Sequence, residues 1–227
     1  MILLIILSQS CNTDRKKDNN TINESKIDSE ISETSIPKFQ SLLQQYEDPD
    51  RQDWQNPDLV IEEIGDLKGK AIADIGAGSG YFTFRLAEQA KSVIAIDIDE
   101  RFLDYLIEKK KNFPDSIRRR VETRLTEPQD PSLKVEEVDI ILMVNTYRFL
   151  EGRLEYLKKL KESLMPEGVL MIVDIKGTEV PIGHSKDLFV SSEQIQDELE
   201  TAGFKIQYIN SDSLPYQFII KANKNVD

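Results

Sequence analysis

The chain of 227 residues has one cysteine and one histidine, and this shortage excludes several kinds of site. A structural zinc site needs four Cys or His ligands and a disulfide needs two cysteines, so the sequence predicts no metal site and no disulfide framework. Catalysis of the Cys–His or Ser–His–Asp type would have to run through the single histidine, His184.

Positive charge is also scarce, because 29 Lys and Arg face 41 Asp and Glu, which gives a net charge of −12. Such a surface repels phosphate backbones, so we expect no nucleic-acid partner, although a local basic patch stays compatible with a tRNA or nucleotide substrate. The basic triplet Arg118–Arg120 is typical of a solvated element end. Hydrophobic residues make up 39% of the chain, which is ordinary for a globular protein.

Long hydrophobic runs are absent, and the apolar run at residues 1–7 is too short to span a bilayer. Ser8, Gln9, Ser10 and the sole cysteine, Cys11, follow it, and this order resembles the signal and lipobox of a bacterial lipoprotein. The resemblance implies that Cys11 is lipidated and anchors the protein to a membrane. The run lacks a preceding Lys or Arg and is shorter than the usual roughly 7–15 residues. The alternative is a cytoplasmic protein with an incidental cysteine.

The sequence pattern divides the chain into four segments, of which the first three precede residue 71. Residues 1–11 are the signal-like segment, and residues 12–36 are too polar to bury a core and are predicted to be a disordered linker. Residues 37–70 contain two helical patterns, at 37–47 and 58–64, and are expected to form a helical lid. Tyr46 and Trp54 either close that lid over a pocket or pack the first helix on the core.

From residue 71 onward, strand and helix patterns alternate. Seven runs predict strands, at 71–75, 92–96, 118–125, 138–144, 169–173, 204–209 and 216–222. Helical spacing occurs at 81–90, 100–112, 151–164 (stopped by Pro166 and Gly168) and 192–202. Continuous apolar strands imply a parallel sheet, and a short polar loop makes the last two strands antiparallel. The fold class expected is α/β: a doubly wound, mostly parallel seven-stranded sheet with helices on both faces and a C-terminal antiparallel hairpin.

In such a sheet a ligand binds beyond the carboxyl ends of the strands. The loop Gly76–Gly80 follows the first predicted strand and opens a helix, which allows a ligand to approach the backbone. Dinucleotide enzymes have a third glycine where this chain has Tyr81. Asp74 would repel a pyrophosphate and suits a cationic amine or sulfonium. Asp97 ends the second strand, where a carboxylate accepts from both ribose hydroxyls, so the pattern favours an adenosine ligand.

These residues resemble the class I S-adenosylmethionine-dependent methyltransferases. The resemblance covers about residues 71–221, and its most specific segments are Asp74–Gly80, Ile96–Asp97, Val138–Met143, Leu164–Asp174 and the closing hairpin. It implies S-adenosylmethionine as the cofactor, and residues 71–227 as a Rossmann-like methyltransferase domain.

The resemblance also implies a role for each matching position. The cofactor-binding residues expected are Asp74 at the amino group; Gly76, Ala77, Gly78 and Gly80 around the methionine moiety; Asp97 at the ribose; Ile98 at the adenine; Thr126 or Glu127 at the adenine amine; and Asn145 at the junction with the substrate. The assignment after the third strand stays open between Thr126 and Glu127.

Methyl transfer from a sulfonium is an in-line displacement, so positioning supplies much of the acceleration and a base matters only when the acceptor must lose a proton. We predict Tyr147 and Asp174 as catalytic residues, and Lys176 and His184 are further candidates at the mouth of the site. Arg148 either pairs with an acidic substrate or is a solvated residue at a helix start.

The sequence therefore predicts a methyltransferase that acts on a small-molecule acceptor. Two alternatives stay open: a membrane-tethered, non-catalytic protein that binds a nucleoside cofactor, and an NAD-dependent oxidoreductase. S-adenosylmethionine is made in the cytosol whereas lipoproteins are exported, so the cofactor and the anchor through Cys11 are in conflict. The oligomeric state is not predicted.

Overall fold

A computed structural model describes residues 38–177 and 189–224. The predictions for Cys11, for the linker at 12–36 and for His184 lie outside the described residues. Within the described ranges, no helix has the length and apolar character that crossing a membrane requires.

Seven strands form one sheet in the order β3-β2-β1-β4-β5-β7-β6. Their bounds are β1 Ala71–Ile75, β2 Ser92–Asp97, β3 Val121–Leu125, β4 Val138–Val144, β5 Leu164–Ile175, β6 Phe204–Asn210 and β7 Gln217–Lys224. Strands β1 to β5 pair in parallel, whereas β7 runs antiparallel to both β5 and β6. The predicted fold class is therefore confirmed, including the C-terminal antiparallel hairpin.

Helices α3, α5 and α8 begin at residues whose side chains cap them. Helix α1 covers residues 38–46, and those that follow are α2 Arg51–Gln55, α3 Pro57–Ile64, α4 Thr83–Gln89, α5 Glu100–Lys110, α6 Asp115–Arg118, α7 Arg153–Ser163 and α8 Ser192–Thr201. Asn56 caps α3 by accepting from the N–H of Leu59, and Pro57 occupies the first helical position, where a missing N–H costs nothing. Ser191 caps α8 through the N–H of Gln194 at 3.2 Å.

Each face of the sheet has its own apolar core. Val60 of α3, Leu86 of α4 and Leu106 of α5 belong to one cluster of buried side chains. Leu157 of α7 and Leu199 of α8 belong to the other. Helices therefore cover both faces, and every central strand is buried on both sides, which explains the continuous apolar runs.

Two predicted boundaries were wrong. Strand β3 begins at Val121 because Pro114 is followed by the short helix α6, so the basic triplet lies at the end of that helix and in the turn after it. Strand β5 begins at Leu164 rather than residue 169, and Pro166 and Gly168 lie inside it. The register shifts between the pairs Val138–Leu164 and Ile140–Val169, and such an irregularity tolerates a proline.

Candidate functional site

The carboxyl ends of β1, β2 and β4 meet at one edge of the sheet. Strand β1 lies between the other two, so the chain that leaves it at residues 76–80 turns over the end of β2. The N–H groups of Gly76 and Ala77 both donate to the carbonyl of Ile96, at 2.8 and 3.0 Å. This anchoring fixes the glycine loop against β2.

The glycines of this loop are required by conformation and by space. Gly76, Gly78 and Gly80 have φ values of 74°, 52° and 75°, in the left-handed region that other residues rarely adopt. A Cβ atom on Gly76 would collide with the side chain of Thr146, and one on Gly78 would lie 3.0 Å from the ring of Tyr46. The backbone of the loop is thus approached closely from two sides.

Asp97 is brought directly to this loop. Its Oδ2 accepts the N–H of Gly78 at 2.8 Å, and its Oδ1 accepts the N–H of Asp99 at 3.0 Å. The side chain is buried, and burial raises the pKa of Asp97 while the two backbone donors oppose that change. Beside it, Ile98 and Leu125 are 59% and 51% exposed, so two apolar side chains face solvent next to a buried carboxylate.

Asp74 lies in β1, two residues before the glycine loop. The residue is buried, and it accepts the hydroxyl of Thr83 at 2.6 Å. Burial raises the pKa of Asp74 to about 6, whereas the bond from Thr83 and the positive charge of Arg51 act in the opposite direction. The structure therefore brings both predicted carboxylates to the same glycine loop.

Thr126 and Glu127, the two residues expected at the adenine amine, differ in the accessibility of their side chains. The N–H of Thr126 donates to the carbonyl of Asp97 at 3.1 Å, so this turn lies next to Asp97. The hydroxyl of Thr126 is used internally, since it bonds to the carbonyl of Asp130 and to Ser132 Oγ. Glu127 is exposed, and its carboxylate is therefore the more accessible of the two side chains.

Asn145 ends β4 in the left-handed conformation, with φ of 56°. Its N–H donates to the carbonyl of Val173 at 2.8 Å, and its Oδ1 accepts from Gln217 Nε2 at 2.8 Å. These bonds tie the ends of β4, β5 and β7 together at the edge that carries the glycine loop.

The predicted catalytic side chains are engaged within the protein. Tyr147 is fully buried and its hydroxyl donates to Glu198 of α8. Burial and the neighbouring carboxylate raise the pKa of Tyr147 far above its usual value, so it is a poor proton carrier.

Asp174 forms a buried ion pair with Arg148 at 2.8 Å. Lys176 Nζ donates to the carbonyls of Ser211 and Leu214. This placement argues against a direct catalytic role for Tyr147 and Asp174.

The interpretation of Arg148 as a solvated or substrate-facing residue was wrong, because only 2% of its side chain is exposed. The chain enters a 3-10 helix, Tyr147–Phe149, directly after β4, and that turn carries the guanidinium to the end of β5. Asp174, the residue it meets there, also accepts the backbone N–H groups of Arg148 and Ile175.

Arg51 was not identified as a site residue from the sequence. Its segment is rich in turn formers, yet it forms α2, and its guanidinium lies 4.1 Å from the ring centroid of Tyr81. Burial lowers the pKa of Arg51 to about 10. The spacing of Arg51, Trp54 and Gln55 at i, i+3 and i+4 is the signal that could have indicated one buried helical face.

Tyr46 covers the glycine loop, and Trp54 is buried. The ring of Tyr46 stacks on Phe102 of α5 at 5.3 Å and lies against Gly78. Glu47 pairs with Lys109 at 2.8 Å, and Lys109 also donates to the carbonyl of Ser79 at 3.1 Å. These contacts hold Tyr46 between α5 and the glycine loop, and they fit both a lid and the packing of the first helix on the core.

Comparisons with known proteins agree with this geometry. Residues 73–170 match a family model described as a methyltransferase domain. A tRNA U34 carboxymethyltransferase of Vibrio campbellii is 29% identical over 167 residues, which are 68% of this chain and 50% of that protein. A phosphoethanolamine N-methyltransferase of Triticum aestivum is 33% identical over 84 residues, 36% of this chain and 16% of that protein. The chain thus spans half or less of these two relatives.

A solved structure covers more of the chain. The crystal structure of an S-adenosylmethionine-dependent methyltransferase from Aquifex aeolicus has a TM-score of 0.74 and 27% identity, and the likeness covers 82% of this chain and 98% of that one. In its matched segment and in its fold, this chain is therefore similar to S-adenosylmethionine-dependent methyltransferases.

Proposed function

We propose that this protein binds S-adenosylmethionine at the glycine loop and transfers its methyl group to a small-molecule acceptor. The observation that carries the proposal is the placement of two buried carboxylates at one glycine loop: Asp97 accepts the N–H of Gly78, and Asp74 lies in the last part of β1, which leads into the loop. Carboxylates suit a ligand with a sulfonium, an ammonium and a ribose diol, and they repel a pyrophosphate.

The residues present fit this cofactor. A Cβ on Gly76 would collide with Thr146 and one on Gly78 would press on the ring of Tyr46, and the hydroxyl of Ser79 is buried without a partner among the described residues. Asp97 would accept from the ribose hydroxyls, the exposed face of Ile98 would pack on the adenine, and Asp74 would accept from the ammonium group. When bound, the cofactor supplies an activated methyl group, so the protein has chiefly to hold and orient it.

The choice of a small-molecule acceptor rests on charge. A net charge of −12 disfavours a polyanionic acceptor, whereas the names of the two relatives point to acceptors as different as a tRNA and phosphoethanolamine. Tyr147 contributes orientation rather than proton removal, because its hydroxyl is held by Glu198, and Asn145 is likewise held in place by Gln217. Lipid anchoring through Cys11 stays a prediction.

Thermal unfolding of the full chain with S-adenosylhomocysteine, the stable demethylated product, tests the proposal. A ligand at about 100 times its Kd stabilises the folded state by about 2.7 kcal/mol, which corresponds to a rise in Tm of roughly 5–10 °C for a domain of this size. NADH at the same concentration is the control, and we expect it to leave the Tm unchanged. A rise with NADH alone would favour the oxidoreductase, and no rise with either ligand would contradict the proposal.

A further inference from the structure

Arg51 is a buried cation whose hydrogen-bond acceptors among the described residues are neutral. The residue is 9% exposed, and no carboxylate of the described residues lies within ion-pair distance of its guanidinium. Its Nη1 donates to the carbonyl of Tyr46 at 2.8 Å, and its Nε donates to Oε1 of Gln55. Burying a charge without an opposite charge is costly, so such an arginine is a candidate for binding an anion.

Gln55, beside Arg51, has a side-chain donor without an acceptor among the described residues. Its residue is 0% exposed, and its Oε1 is used by Arg51. Its Nε2 has no hydrogen-bond partner among the described residues. Buried amide N–H groups are nearly always paired, so the Nε2 of Gln55, beside the guanidinium of Arg51, is a donor that an anionic ligand would satisfy.

Three observations place the guanidinium of Arg51 near the glycine loop. The ring under the guanidinium belongs to Tyr81, the residue that follows Gly80. The carbonyl that Arg51 holds belongs to Tyr46, whose ring lies against Gly78. Arg51 is also close enough to Asp74 for its charge to act on that carboxylate. A cation and a carboxylate thus lie near each other without forming an ion pair.

We propose that Arg51, with Gln55, binds the α-carboxylate of the cofactor while Asp74 binds its α-ammonium group. The two opposite charges then recognise the zwitterionic amino-acid end and select against nucleosides that lack it. This inference rests on the proposed function, because it assigns residues to one end of the same cofactor. Arg51 becomes a specificity residue contributed by α2, outside the sheet and its glycine loop.

The test compares two ligands by isothermal calorimetry on the full chain. S-adenosylhomocysteine carries the amino-acid end, whereas 5′-deoxy-5′-methylthioadenosine has the same nucleoside and thioether without it. We expect Arg51→Gln to weaken binding of S-adenosylhomocysteine about 10- to 100-fold, as for loss of a hydrogen bond between charged groups. Its affinity for methylthioadenosine should stay within about twofold of that of the wild type.

Two further variants separate recognition from packing. Arg85 lies 4.0 Å from the ring centroid of the same Tyr81, so Arg85→Gln removes a comparable contact and should leave both affinities nearly unchanged. Gln55→Glu places a carboxylate beside Arg51, and we expect it to weaken S-adenosylhomocysteine binding but not methylthioadenosine binding. Circular dichroism of each variant confirms that it is folded.

The outcomes are distinct. If the wild type binds S-adenosylhomocysteine and Arg51→Gln binds it equally well, or loses both ligands in parallel, the role of Arg51 is overturned while the proposed function stands. If the folded wild type binds neither ligand, the proposed function fails and the assignment of Arg51 fails with it.

Discussion

Replacing Asp174 with alanine is expected to destabilise the fold by about 3–5 kcal/mol, as is typical when one partner of a buried ion pair is removed. The carboxylate pairs with Arg148 at 2.8 Å, and only 3% of its side chain is exposed. It also accepts two backbone N–H groups, those of Arg148 and Ile175, which would lose their acceptor. Urea unfolding, followed by circular dichroism at constant m-value, measures the difference.

An exposed ion pair supplies the matched control. Glu155 and Lys158 of α7 lie 2.7 Å apart, with 73% and 48% of their side chains exposed. Because solvent screens such pairs, Glu155→Ala should change the free energy of unfolding by less than about 1 kcal/mol. Asp174→Asn retains an acceptor for the backbone N–H groups. Its loss of unfolding free energy should lie between those of Asp174→Ala and Glu155→Ala. A loss below about 1 kcal/mol in Asp174→Ala would show that the buried pair does not hold the turn after β4.

The second large effect is expected at Asp97. Asp97→Ala should weaken binding of S-adenosylhomocysteine about 10- to 100-fold, because it removes the acceptor proposed for both ribose hydroxyls. It also releases the N–H of Gly78, which Asp97 now holds at 2.8 Å. Isothermal calorimetry on the full chain gives the two dissociation constants directly.

A variant of the neighbouring Asp99 tests whether the loss of negative charge alone explains the weaker binding expected of Asp97→Ala. Asp99 caps α5 by accepting the N–H of Arg101 at 3.0 Å, and its side chain is 25% exposed. We expect Asp99→Ala to retain an affinity within about threefold of the wild type, since only the general negative potential changes. Equal losses in the two variants would point to electrostatics rather than to a ribose contact, and no loss in Asp97→Ala would refute the assignment.

The sheet could be predicted from the sequence because its central strands are buried on both faces. Apolar runs such as Ile140–Val144 have few alternatives to a central parallel strand, and the glycine loop needs left-handed residues that only glycine adopts readily. The adjacency of Asp97 and Gly78 follows from the same logic, since both lie at carboxyl ends of neighbouring strands.

The missed features depend on contacts between distant segments. Nothing local to Arg148 indicates that Asp174, which lies 26 residues further along the chain, will receive its guanidinium. Tyr147 follows a strand end, as a catalytic residue would, but α8 supplies Glu198 to its hydroxyl. Arg51 lies in a segment of turn formers, and its burial arises only when α2 packs on Tyr81. Polar residues whose partners lie far away in sequence were therefore the hardest to interpret.

Hydrogen–deuterium exchange with and without S-adenosylhomocysteine tests most directly whether the cofactor binds at the glycine loop. We predict slower exchange in peptides that span residues 74–82 and 96–99, because a bound ligand stabilises the loop and the end of β2. Peptides from β6, at Phe204–Asn210, should be unchanged. Saturating ligand that leaves residues 74–82 and 96–99 unprotected, or that protects another part of the sheet instead, would contradict the assignment.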